Sequence, residues 1–78
     1  MKTRVRRVYD GRWVAECRTT WFGDWRVIWV EEGGYPSQGN ASHLYQDKSY
    51  KLATGAQHMC VRWEAQYRLF AGEDWSGA

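Results

Sequence analysis

The sequence has little of what most assignable chemistry requires. Of its 78 residues, two are cysteine, two are histidine and one is proline. Neither Cys17 nor Cys60 belongs to a C-x-x-C pair, and with the distant His43 and His58 they have no zinc-ligand spacing. Two cysteines are also too few for a secreted disulfide framework. The first residues carry charge without an apolar stretch behind it, so no signal peptide is expected. No apolar run approaches the roughly 20 residues that span a bilayer; the longest is Val27-Ile28-Trp29-Val30. These absences lead to the expectation of a reduced, cytoplasmic setting with no membrane partner.

Phosphate cradles and catalytic constellations are missing as well. Gly33-Gly34 precedes Tyr35-Pro36, so neither a dinucleotide fingerprint nor a P-loop fits. His43 has Ser42 and Asp47 nearby in sequence, but no nucleophile, base and orienting acid come together. The acid pairs Glu31-Glu32 and Glu73-Asp74 read as solvated ends of elements. No enzyme activity, cofactor or metal is expected. Cys17 and Cys60 read as small core residues, with a bridge between them left open.

What the chain does have is aromatic side chains, 17% of its residues, six of them Trp. Each buried ring removes roughly 150–250 Å² from water, enough for four or five to build a small core. So many cannot all be hidden, and exposed Trp and Tyr are common anchors for partners. The net charge is +2, well short of a dedicated nucleic-acid binder and opposite to an acidic DNA mimic. It is distributed unevenly: Lys2, Arg4, Arg6, Arg7, Arg12 and Arg18 crowd the first strands.

Periodicity gives an α+β fold of one domain. Residues 3–31 read as a β-meander of three strands, with turns at Asp10-Gly11 and Gly23-Asp24. A three-residue turn over Asp10–Arg12 would set Val5 opposite Cys17 and pair Arg6 with Glu16 on the outer face, while a two-residue turn would shift that pairing. The third strand is apolar at nearly every position, so both of its faces need cover; the long loop, a second copy of the chain or a partner would supply it. Residues 32–50 read as that loop, with short strands at 43–45 and 50–52. Thr54-x-x-Gln57 forms a capping box for a helix over 54–71. Its stripe of Ala56, Met59, Cys60, Trp63, Tyr67 and Phe70 faces one side, Gly72 stops it, and 72–78 form a tail. The expected architecture is an antiparallel sheet of three or more strands with one C-terminal amphipathic helix across one face.

The stretches Arg12-Trp13-Val14-Ala15 and Trp25-Arg26-Val27-Ile28-Trp29, followed by a helix containing Val61-Arg62-Trp63-Glu64-Ala65, resemble small phage- and prophage-encoded accessory proteins of the anti-CRISPR type. That resemblance implies a stoichiometric inhibitor that docks on a host protein or protein complex and blocks it. It carries over no individual residue. From the residues themselves, the expected role is a small protein-binding module anchored by Arg6, Arg7, Arg12, Trp21, Trp25, Tyr35 and Tyr45. The alternative is a nucleic-acid-binding module that uses the basic, Trp-rich hairpin; a homodimer that hides the third strand is a further reading. Against all three stands the plainer view that the arginines cover strand edges and resist aggregation.

Overall fold

In the computed structural model, which describes residues 1–20 and 23–70, the chain forms four strands and two helices. The strands are β1 (Lys2–Arg7), β2 (Trp13–Arg18), β3 (Arg26–Val30) and β4 (Pro36–Gly39); the helices are α1 (Leu44–Asp47) and α2 (Ala53–Phe70). The strands lie in the order β1-β2-β3-β4 and every neighbouring pair is antiparallel. With α2 packed against that sheet, the α+β class is as expected.

The first hairpin turns one residue earlier than the three-residue reading places it. The turn is Tyr9–Gly11, closed by the Val8 amide donating to the Arg12 carbonyl at 2.8 Å. Asp10 and Gly11 both take positive φ, 67° and 69°, the pair of left-handed residues that Asp-Gly tolerates. As a result Val5 faces Ala15 and Arg4 faces Glu16. The register moves by two residues, so every side chain keeps its face.

Another hairpin lies in the segment read as loop. Gly33 and Gly34, at φ 94° and 87°, reverse the chain, and the Glu31 amide donates to the Tyr35 carbonyl at 2.7 Å. β4 then pairs with β3 from Val30↔Pro36 to Val27↔Gly39. Pro36 is acceptable because β4 is an edge strand and its missing N–H interrupts no inner ladder. The strands expected at 43–45 and 50–52 do not form. Residues 44–47 make the helical turn α1, and Tyr50 makes a single antiparallel bridge to Trp13, exchanging backbone bonds of 2.7 and 2.8 Å.

α2 begins at Ala53, so Thr54 sits inside the first turn and not ahead of it as an N-cap. Its stripe packs as expected: Ala56, Cys60 and Trp63 are buried with Ala15, Cys17 and Ile28, flanked by Val5, Trp13, Val30, Met59 and Tyr67. Trp63 stacks on Tyr67 with ring centroids 4.8 Å apart. The Phe70 side chain and the Gly72 stop lie outside the described residues.

The opposite face of the sheet carries its own small core of Val8, Val14, Val27 and Leu44, with Trp29 and Tyr45 against it. Leu44 and Tyr45 belong to α1, so the segment after β4 folds back over the sheet. Gly39 makes room for this, because a Cβ there would come within 2.7 Å of Leu44 Cδ1. The second face of β3 is thus covered from within the chain, without a second copy.

Candidate docking surface

Strand alternation sends Lys2, Arg4 and Arg6 of β1 to the α1 side of the sheet, together with Glu16 and Arg18 of β2. Glu16 is only 1% exposed, an unusual state for a carboxylate unless it is paired. Arg4 Nε donates to Glu16 Oε1 at 2.8 Å, and Arg6 Nε donates to the same oxygen at 3.0 Å. The hydrogen bond to Glu16 raises the Arg6 pKa further above its ordinary value, outweighing the opposing cost of burial.

Arg4, Arg6 and Arg18 also rest against rings. Arg4 lies 4.0 Å from the Trp25 ring centroid and Arg18 lies 5.0 Å from it. Arg6 lies 5.0 Å from Tyr45, and Lys48, just beyond α1, lies 4.9 Å from Trp29. The Trp29 indole N–H donates to Glu31 Oε1 at 2.8 Å. Contacts of this kind contribute about 0.5–1 kcal/mol each where partly exposed. Their structural effect is to hold long, otherwise mobile side chains in fixed places. The result is a cation–aromatic surface running from Lys2 across Trp25 to Tyr45.

Three of the seven expected anchors belong to this surface or border it: Arg6, Trp25 and Tyr45. Arg7 points to the other face by alternation, and its Nη2 lies beside Gly11. Arg12 is committed internally. Its Nε donates to Ser49 Oγ at 2.6 Å and its Nη2 to the Ser49 carbonyl at 2.9 Å, tying the first hairpin to the segment before α2. Tyr35 is 60% exposed at the β3–β4 turn, across the sheet from β1. Trp21 lies outside the described residues. Lys48 and Trp29 are additions that the sequence pattern did not single out. The period-2 pattern of β1 already put Lys2, Arg4 and Arg6 on one face, but nothing local tells that Lys48 returns to it.

Among the described residues, two cavities border Thr19 and Thr20, just beyond the end of β2. One, about 180 Å³, is lined by Met1, Lys2, Arg18, Thr19 and Thr20. The other, about 300 Å³, has Cys17, Asp24, Arg26 and Gln38 in its wall. Cys17 and Cys60 are free and buried. Burial pushes the Cys17 thiol up to about 11 and raises that of Cys60 in the same direction, so neither is an activated nucleophile. His43 and His58 are both exposed. Among the described residues, no group of three or more His, Cys, Asp or Glu is placed to hold a metal ion, and no helix is long and apolar enough to cross a membrane. Comparison with known proteins finds no family model, curated protein or solved structure that matches the chain.

Proposed function

We propose that this chain is a small protein-binding module, without catalytic activity, that docks by its cation–aromatic face on an acidic surface of a partner protein. The observation that carries the reading is the buried Glu16 with Arg4 and Arg6 on one oxygen, set beside Arg4 and Arg18 against Trp25. Arginine and tryptophan held in fixed positions lose little freedom on docking, which is what lets a small interface bind tightly. A module of this kind acts by occupancy, the mode implied by the resemblance to phage anti-defence proteins. An anti-CRISPR-like role against a host complex is the specific form of the proposal.

The test is capture of a partner by the tagged protein, followed by hydrogen–deuterium exchange of the complex. Protection of backbone amides in residues 2–6, 16–18 and 25–27 is the expected outcome. Protection confined to the outer face of α2 would refute the assignment of this surface.

Nucleic acid is the second reading, favoured by the row of Lys2, Arg4 and Arg6 on one strand face. It requires affinity that falls steeply with salt, by about 0.7–0.9 log units per log unit of salt for each phosphate contacted. Bases would also have to stack on Trp25, Tyr45 or Trp29, each of which already carries a cation on its ring. That competition favours the protein reading.

A further inference from the structure

The geometry points to a carboxylate-binding pocket at the open end of the first hairpin, formed by Lys2, Arg18, Thr19 and Thr20, that receives an acidic side chain of the partner protein. This rests on the docking role proposed above and gives it a chemical anchor. Lys2 and Arg18 sit directly opposite each other in the β1–β2 ladder, on the same face. Like charges in that position destabilise a sheet, and among the described residues no carboxylate relieves them. Lys2 has no ion pair there, and the contact of Arg18 is with the Trp25 ring. Glu16 is the one acid on these two strands, and its Oε1 already serves Arg4 and Arg6.

A cavity of about 180 Å³ opens here, lined by Lys2 and Arg18 together with Met1, Thr19 and Thr20. The residues that line it carry groups suited to an oxyanion: the Lys2 ammonium, the Arg18 guanidinium, which lies 5.0 Å from the Trp25 ring centroid, and the hydroxyls of Thr19 and Thr20. The volume suits a single side-chain head. The lining is more apolar than polar, which suits the aliphatic stem of a glutamate. A nucleic-acid strand fits less well, since it needs several equal phosphate seats and free rings, and Arg4 and Arg6 are already engaged by Glu16.

The test is a nuclear magnetic resonance titration of the isotope-labelled protein with a capped oligoglutamate peptide, with the matching oligoglutamine peptide and a thymidine oligonucleotide in parallel. Saturable shifts at Lys2, Arg18, Thr19, Thr20 and the Trp25 indole are expected with oligoglutamate alone. Arg18→Gln and Lys2→Gln should each weaken that binding by about tenfold or more while leaving the remaining spectrum folded. Equal shifts with oligoglutamine, tighter binding of the oligonucleotide, or oligoglutamate affinity unchanged in both variants would overturn the pocket. If the peptide fails while a captured partner still protects residues 2–6 and 16–18, the pocket assignment falls and the docking role stands; if both fail, both fall.

Discussion

Replacing Glu16 by Gln keeps the shape of the side chain and removes its charge, so it isolates what the buried carboxylate contributes. The side chain is 1% exposed and accepts from Arg4 at 2.8 Å and Arg6 at 3.0 Å. The guanidinium donors stay charged when the acceptor becomes an amide, so each bond persists but loses its ion-pair component, roughly 1 kcal/mol where a charged hydrogen bond is typically worth about 1.5–3 kcal/mol. The two arginine side chains are 40% and 38% exposed, and water screens part of that loss, leaving a total of about 1–2 kcal/mol. For a domain of this size, that lowers Tm by about 4–16 °C. Urea unfolding followed by tryptophan fluorescence, at low salt and at about 1 M NaCl, gives the measurement. Because the carboxylate is out of water, most of the gap should survive at high salt. A Glu16→Gln variant within about 0.3 kcal/mol of the parent, or a gap that vanishes in salt as exposed pairs do, would refute the argument. The same variant leaves the charges of Arg4 and Arg6 without a neutralising carboxylate, so it should bind oligoglutamate more tightly than the parent.

Other outcomes follow from the two cores and the ties between them. Trp63→Ala should cost about 3–5 kcal/mol and unfold most of the protein, whereas Trp63→Phe should cost clearly less, because the buried Trp63 Nε1 has no hydrogen-bond partner among the described residues to lose; circular dichroism melts separate the two. Gly39→Ala should displace Leu44 and destabilise by about 1–3 kcal/mol, with shifts in the α1 amides and little change in α2. Cys17 has a folded-state thiol raised to about 11 against an ordinary value of 9.0. The folded state therefore holds that proton more tightly, and stability should be constant below about pH 9 and decline as pH rises from there towards 11, as measured by urea midpoints. Cys60 and Tyr50 are shifted in the same direction and add to the decline.

Much of the fold was legible because it obeys simple periods. The helix stripe, the Asp10-Gly11 turn and the two-sided apolar character of β3 all follow from the spacing of apolar residues. The face shared by Arg6 and Glu16 was legible too, since a two-residue register shift leaves faces unchanged. β4 was not. Pro36-Ser37-Gln38-Gly39 has no β-branched or aromatic residue, and it is a strand because β3 offers a free edge and Gly33-Gly34 reverses the chain onto it. Nor was α1, a four-residue turn too short for any period to reveal. The docking surface was half visible for the same reason. Its arginines lie on strands with regular alternation, while Tyr45 and Lys48 reach it through a connection that only tertiary packing defines.

β3 is a wall shared by two rooms. Its consecutive residues Val27 and Ile28 belong to different cores, one under α1 and one under α2. Neither core is large enough to stand by itself in a chain of this length, and neither can open without exposing the back of the strand that supports the other. The protein should therefore lose both layers in a single cooperative step, and the amides of β3 should be its slowest to exchange. A partner that grips the α1 side would then stabilise the α2 side as well, although it never touches it.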